Sequence, residues 1–276
     1  MGNRLKVAVV IVTYNRNKDC KDTLNSLLKS SKLPNEIIVV DDSSSTPFEF
    51  DHELVRILRH DQEIGLSASR NIGVKASNSD IIAFIDDDAI ASKNWIKNIL
   101  KTFKNNIGIA GGPVLPLYLT TTPKWWDEKK FGLCIGIDDE TIIGCNLIIK
   151  KSVFQDIGYF NINLGRKYGK LISGEENEFI ERAIKLGIKI LFNPQIIVYH
   201  KVYPHRLTIK YLIERVFWQG KSDFIMKTTN YKTMPKIIKN IITNMVRCII
   251  YPIEFKRYVL NIVRQIGYLF AITRII

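Results

Sequence analysis

The chain of 276 residues is short of cysteine, short of acid in its last quarter and without a long apolar run, and each shortage excludes something. Its four cysteines, Cys20, Cys134, Cys145 and Cys248, show no paired spacing, so neither a zinc knuckle nor a disulfide framework is expected and a reducing cytosolic compartment is the default. Met1 to Lys6 carries no signal peptide, so export by that route is not expected. No stretch reaches the roughly 18 to 20 uninterrupted apolar residues that a spanning helix needs. Residues 201–276 hold fourteen Lys and Arg against only Glu214, Asp223 and Glu254, a net +11 out of +13 for the whole chain. A basic tail on a nearly neutral body points to an anionic surface, either nucleic acid or acidic lipid headgroups.

Hydrophobic residues make up 46% of the chain, enough for one large domain or for a catalytic domain with an appendage. Val7 to Val12 is a β-branched run ending at Thr13-Tyr14-Asn15-Arg16, Cys20 to Leu28 has helical spacing, and Glu36 to Val40 is a second run ending at Asp41-Asp42-Ser43-Ser44-Ser45. Strand, helix, strand, with every strand closing in polar residues, predicts an α/β fold around a parallel sheet. Ligands of such sheets bind outside the carboxyl ends of the strands. Further strands are expected at Val55 to Leu58, Ile107 to Leu115 (interrupted at Gly111-Gly112-Pro113), Thr141 to Lys150, Ile188 to Phe192 and Ile196 to His200. Helices are expected from Gly65 to about Ala76, over Ser92 to Phe103, over Ser152 to Ile157, and from Glu175 to near Gly187. Pro116 to Asp139 reads as a long loop or lid, in which Trp125 and Trp126 pack the loop onto the core in preference to stacking on a sugar or nucleotide.

The most costly local feature is the run Ile81-Ile82-Ala83-Phe84-Ile85, a buried strand that ends in Asp86-Asp87-Asp88. Three adjacent carboxylates repel one another unless a cation or strong donors sit among them. If the strand geometry continues, Asp86 and Asp88 face one way and Asp87 the other. Two carboxylates on one side suit Mg2+ or Mn2+ together with substrate phosphates. The plainer reading is an acidic turn capping the helix that starts near Ser92. Position among the other polar strand tips favours a site.

Taken together, Val12-Thr13-Tyr14-Asn15-Arg16, Val39-Val40-Asp41-Asp42-Ser43-Ser44, Ala68-Ser69-Arg70-Asn71-Ile72-Gly73, Asp86-Asp87-Asp88 and Gly174-Glu175-Glu176 occur in an order that resembles a family 2 glycosyltransferase of the GT-A fold. The resemblance covers about residues 5–225. It implies a Rossmann-like, mostly parallel sheet flanked by helices over residues 1–203, with a nucleotide-sugar-binding half (1–115) and an acceptor half (116–203). It also implies a nucleotide-sugar donor, a UDP-sugar by family preference, a divalent cation (Mn2+ or Mg2+) and inversion at the anomeric carbon. Matched residue by residue, Thr13, Tyr14, Asn15 and Arg16 would line the nucleotide, with Tyr14 against the base. Asp42, or else Asp41, would bind base or ribose, and Arg70, Asp86 and Asp87 would help to hold the donor. Asp88 would be the direct metal ligand, supported by Asp86 and by His200. Glu176 matches the general base, usually Asp in the family, and because Glu is one methylene longer Glu175 remains a second candidate.

Two rival functions can be weighed. A sugar-1-phosphate nucleotidyltransferase usually has a glycine-rich basic loop after its first strand, and Thr13-Tyr14-Asn15-Arg16-Asn17 has no glycine. A nucleic-acid-binding protein would interleave aromatic and basic residues on one exposed face. Here Ile237, Ile238, Ile241, Ile242, Met245, Val246, Ile249 and Ile250 alternate instead with Lys236, Lys239 and Arg247. That pattern predicts an amphipathic helix with a basic polar face, and Val259 to Ile276 is a second, broken by Asn261, Arg264 and Gln265. Residues 204–276 are therefore expected to be a basic amphipathic region that lies on an anionic membrane surface, in preference to packing as an ordinary subdomain. The expected enzyme works at the cytoplasmic face of the membrane on a saccharide or polyprenyl-linked acceptor, and nucleic acid is not an expected partner.

Overall fold

The computed structural model describes residues 5–104, 106–131, 140–226, 234–250 and 255–272. By its internal packing the chain divides into two units. The first comprises 1–121, 127–162 and 175–202; the second comprises 122–126, 163–174 and 203–276.

The first unit is built on a seven-stranded sheet. In chain order its elements are β1 (Val7–Thr13), α1 (Asn17–Leu28), β2 (Glu36–Asp41), β3 (Val55–Arg59), α2 (Leu66–Ala76), β4 (Ile81–Ile85), β5 (Ala89–Ala91), α3 (Trp95–Thr102), β6 (Ile109–Gly111), β7 (Val114–Tyr118), α4 (Glu128–Phe131), β8 (Asn146–Lys150), α5 (Lys151–Ile157), α6 (Glu175–Lys185), β9 (Ile190–Phe192) and β10 (Val198–Val202). The order across the large sheet is β3-β2-β1-β4-β8-β6-β9. β1 pairs in parallel with both β2 and β4, β2 with β3, and β6 with β9, whereas β8 runs antiparallel to β4 and β6.

Both faces of this sheet are covered, which is why its strands read as continuous apolar runs. Val7, Val9, Ile11, Ile37, Val39, Ile81, Ala83 and Ile85 point to one face and pack with Leu24 and Leu27 of α1 and Trp95, Ile96 and Ile99 of α3. The alternate residues Ala8, Val10, Ile38, Val40, Ile82 and Phe84 meet Val74 of α2, Val153 and Phe154 of α5, and Phe179 and Ala183 of α6. After β1 the chain proceeds to β2 and β3 on one side and then returns to place β4 on the other. The crevice at the carboxyl ends of these strands is the topological switch point, where α/β sheets bind ligands.

Several expected elements differ. The single strand expected over Ile107 to Leu115 is two strands in two sheets. β6 belongs to the large sheet, while β7 joins β5 and β10 in a separate three-stranded sheet of order β5-β10-β7. Gly111-Gly112-Pro113 carries the chain across, and a Cβ on Gly112 would lie 2.2 Å from the Ile196 carbonyl oxygen, so only glycine permits the passage. Pro116 lies within β7, not in a loop, and Tyr118 at its end bonds to Glu128 of α4. A proline is tolerated there because β7 is an edge strand. Residues 132–139, including Cys134, lie outside the described residues. Only Asn146–Lys150 of the expected strand Thr141 to Lys150 is extended, and the residues before it turn. His200 stands in the middle of β10 rather than at a strand end, paired with Ala89 on one side and Pro116 on the other.

The second unit is helical, with α7 (Ile209–Met226), α8 (Met234–Ile250) and α9 (Phe255–Ile272). α7 falls within residues 204–276, expected to be helical as a region, although the sequence marks no separate helix there. α7 and α9 approach closely at two glycines: a Cβ on Gly220 would be 1.8 Å from the Arg264 carbonyl oxygen, and one on Gly267 would be 2.0 Å from that of Phe217. Phe224 meets Tyr268 edge to face with ring centroids 5.2 Å apart, and Arg264 donates to Asp223 at 2.6 Å. α8 has Ile238, Ile242 and Met245, at i, i+4 and i+7, each about half exposed (46%, 56% and 52%). No helix among the described residues is long and apolar enough to cross a membrane. The side chains of Val246, Ile249 and Ile250 lie outside the described residues.

Candidate active site

β4 stops at Ile85, and Asp86 to Asp88 form the turn between β4 and β5. They do not cap the following helix: α3 has Asn94 at its N-cap, without a side-chain capping bond. Their partners come from four other elements. Thr13, the last residue of β1, donates from Oγ1 to Asp87 Oδ2 at 2.8 Å. Arg16 donates to Asp87 Oδ1 at 3.1 Å and to Asp88 Oδ2 at 2.8 Å. Arg70 of α2 donates to Asp86 Oδ1 at 3.0 Å. His200 Nε2 lies 3.2 Å from Asp88 Oδ1 and 3.9 Å from Asp86 Oδ2. Asp86 and Asp88 therefore converge on the histidine, while Asp87 turns toward β1.

Helix α1 supports this turn from beneath. Thr23 Oγ1 lies 2.8 Å from the Asp87 carbonyl oxygen and 2.7 Å from that of Ala89, and Ser26 Oγ accepts the Ala91 N–H at 3.0 Å. The same helix holds β10: Lys201, next to His200, donates to Asp19 at 2.8 Å and to Asp22 at 2.6 Å. Those two carboxylates outweigh the effect of burial and raise the Lys201 pKa.

The electrostatics follow from crowding. Burial is the main cause that lifts the Asp87 carboxyl to about 7; Arg16 opposes the rise, Asp88 and Asp86 add to it, and the Thr13 bond opposes it. Burial alone would lower the pKa of Arg16, but Asp87, Asp88 and Asp86 together raise it. Asp87 has an ordinary value of 3.8, so between pH 4 and pH 7 the folded chain keeps a proton that the unfolded chain has lost. Its contribution therefore favours folding most in acid and is lost as pH rises through that window. Asp87→Asn should flatten this component. The check is chemical denaturation of the metal-free wild type and variant across that range, where parallel stability curves would refute the shift.

The strand tips beside the turn are tightly organised. Asp41 is wholly buried; its carboxylate accepts the Ser44 N–H at 2.9 Å and the Phe48 N–H at 3.0 Å, and it pairs with Arg59. Burial alone would raise its pKa, but bonds from Ser44, Phe48 and Arg59 lower it. Asp42 accepts the N–H groups of Ile64 and Gly65, both at 2.8 Å. Asn15 and Ser43 adopt positive φ of 56° and 68°. The Asn15 N–H donates to Ser44 Oγ at 2.8 Å, and its Oδ1 accepts from Ser45 N–H at 2.7 Å, so β1 and β2 tips are laced together. Tyr14 is exposed at this rim.

The two candidate bases differ in their surroundings. Glu175 is buried, and its Oε1 accepts from Arg70 at 2.7 Å, while Glu176 is half-buried at the first turn of α6. One guanidinium thus links the acidic turn to the first turn of α6. Burial disfavours its charge, but Glu175, Asp86 and Glu176 raise its pKa. Gly144 permits this placement, since a Cβ there would lie 2.9 Å from an Arg70 terminal nitrogen.

Sequence reasoning missed Cys145. Its sulfur, an Asp86 oxygen and a His200 ring nitrogen all lie within 4.8 Å of one another. The only available signal was the interruption of the strand at Gly144-Cys145-Asn146. It also missed Thr23 and Lys201, which act on backbone and across a sheet, where no local pattern records them.

Three comparisons bear on this arrangement. The chain is 30% identical over 80% of its length, and over 77% of the relative's, to the glucosyl-dolichyl phosphate glucuronosyltransferase of Haloferax volcanii. Its fold is similar to that of the mannosyltransferase PcManGT of Pyrobaculum calidifontis, solved with GDP-Man and Mn2+, with a TM-score of 0.62 at 14% identity over 99% of this chain and 76% of that one. It is also similar to S. aureus TarS 1–349 in complex with UDP-GlcNAc, with a TM-score of 0.55 at 18% identity over 80% of this chain and 66% of that one. The fold is GT-A, and a family profile described as glycosyl transferase family 2 matches residues 8–158, so the chain belongs to that family of enzymes.

Proposed function

We propose that the chain is an inverting glycosyltransferase that moves a sugar from a nucleotide-sugar, by preference a UDP-sugar, to a saccharide or lipid-linked acceptor at the inner face of the cell membrane. One observation carries the reading: Asp86 and Asp88 converge on His200 Nε2 at the switch point of the sheet. Two carboxylate oxygens and an imidazole nitrogen fit a divalent cation, Mn2+ or Mg2+. Bound there, such an ion would neutralise charge developing on the departing diphosphate.

The remaining steps belong to the chain. Glu176 accepts the proton of the acceptor hydroxyl as the oxygen attacks the anomeric carbon from the face opposite the leaving nucleotide. A new carbon–oxygen bond forms as the bond to the β-phosphate breaks, which inverts the anomeric configuration. Glu176 takes the base's role by its match to the family position, and Glu175, which accepts from Arg70, is the second candidate. Arg70, fixed by Glu175 and Asp86, sets the spacing between the base and the acidic turn. Tyr14, Asn15 and the Asp41 and Asp42 loops shape the nucleotide pocket, with Tyr14 against the base. The related archaeal enzyme is named for a dolichyl phosphate acceptor, which supports a lipid-linked substrate here.

Screening UDP-, GDP- and dTDP-sugars with Mn2+, and following nucleoside diphosphate release with and without a polyprenyl phosphate or saccharide acceptor, tests the reading. Acceptor-dependent release with an inverted product is expected. Pyrophosphate formed from a sugar 1-phosphate and a nucleoside triphosphate would replace it with nucleotidyl transfer.

The membrane part of the proposal rests on α8, whose stripe of Ile238, Ile242 and Met245 faces outward beside exposed Lys236, Lys239 and Arg247. Inserting each isoleucine into the interface is worth about 1.5–3 kcal/mol. The double variant Ile238→Glu/Ile242→Glu should therefore lose at least about tenfold in binding to phosphatidylserine vesicles while keeping its melting temperature. Unchanged cosedimentation would exclude α8 as the contact.

A further inference from the structure

Cys145 stands at the foot of β8, 3% exposed, in the turn that precedes Asn146. β4 and β8 are antiparallel with Ile85 opposite Asn146, so the residues one step beyond that pair, Asp86 and Cys145, emerge side by side. His200 reaches the same place from β10, whose register puts it opposite Ala89, just past the acidic turn. Three donors from three segments thus meet with their ligand atoms within 4.8 Å of one another.

We infer that Cys145 is a thiolate ligand of the cation held by Asp86 and His200, so that the site takes borderline-soft ions such as Zn2+ and Co2+ more tightly than Mn2+ or Mg2+. This rests on the metal site proposed above and adds to it a sulfur that the acidic motif does not contain. Carboxylate and water ligands suit Mg2+ and Mn2+, imidazole suits Zn2+, and thiolate selects Zn2+ and its neighbours. Tetrahedral zinc sites combine these same three side-chain types.

Two further features fit the assignment. His200 Nδ1 lies 3.0 Å from the Lys201 carbonyl oxygen. A proton on Nδ1 donated to that oxygen is the tautomer that turns the Nε2 lone pair toward the carboxylates. Arg70 packs against the neighbouring Gly144, 2.9 Å from its Cβ position, and so fixes the turn that carries Cys145. On binding, the thiol proton leaves to solvent as the sulfur lone pair bonds to the metal, and no electron is transferred.

The test uses the full chain, purified metal-free, with Cys145→Ser and Cys145→Ala as paired variants and circular dichroism to establish that they fold. Titration with Co2+ should give a near-ultraviolet sulfur-to-cobalt charge-transfer band in the wild type that both variants lack, although they still bind the ion. Zn2+ affinity, from competition with a chromophoric chelator, should fall by at least about tenfold in the variants. Mn2+ affinity, from electron paramagnetic resonance, should not change. A cobalt-saturated wild type without the band, or equal Zn2+ affinity in Cys145→Ser, overturns the thiolate assignment alone. Failure of the wild type to bind Mn2+, Co2+ or Zn2+, with or without UDP, overturns the underlying metal site as well.

Discussion

Replacing Asp88 with alanine is expected to lower kcat/KM by at least about 10³, because in the proposed mechanism it helps to hold a cation whose Lewis-acid stabilisation is worth several kcal/mol, and each 1.36 kcal/mol is tenfold. Asp88 is 1% exposed and is held by Arg16 on one oxygen and by His200 on the other. The alanine variant removes a charge and leaves both partners without it, so some loss of stability is expected too. Asp88→Asn separates the effects, since it keeps the volume and much of the hydrogen bonding while giving up the anionic ligand. Both variants should lose Mn2+ binding, measured by electron paramagnetic resonance in the presence of UDP. A folded Asp88→Asn enzyme that turns over within tenfold of the wild type would remove Asp88 from the mechanism.

The second large effect belongs to Glu176. Glu176→Gln keeps the shape of the side chain but cannot accept the acceptor's proton, and general-base loss costs about 10² to 10⁴ in rate. Because the base acts in the transition state, kcat should carry the loss while KM for the donor stays close to the wild-type value. Glu175→Gln is the internal control. It weakens the Arg70 bond at 2.7 Å and should affect KM and stability more than kcat. If Glu175→Gln shows the large kcat loss and Glu176→Gln does not, the base is Glu175 and Arg70 must release it during turnover.

Much of the fold was legible because a sheet covered on both faces writes its strands as apolar runs, and Val7 to Val12, Glu36 to Val40 and Ile81 to Ile85 could be read from that pattern alone. The switch from one sheet to another at Gly111-Gly112-Pro113 could not, since a glycine-proline break marks an interruption without saying where the next strand pairs. His200 was legible as a residue but not as a mid-strand one, because the register of β10 is set by β5 and β7, both remote in sequence. The acidic turn announced itself through like-charge crowding. Its supports did not: Thr23 bonds to carbonyl oxygens and Lys201 crosses to another element, and neither relation has a period or a spacing. Asp41 and Asp42 drew notice as a pair of acids at a strand tip, and the structure gives each a full set of loop-building bonds.

Helix α1 has a consequence for how this enzyme can diverge. Through Thr23 and Ser26 it fixes the acidic turn, and through Asp19 and Asp22 it fixes the strand that bears His200. The loops at the tips of β2 and β3, which in the proposed function surround the nucleotide, are anchored separately by Asp41 and Asp42. On that reading, changes of donor can accumulate in those loops without disturbing the acidic turn and His200. Directed evolution toward a new nucleotide-sugar should find its permissive positions there and on the exposed side of α1, at Lys18, Lys21 and Asn25, while the inward side of the same helix stays intolerant.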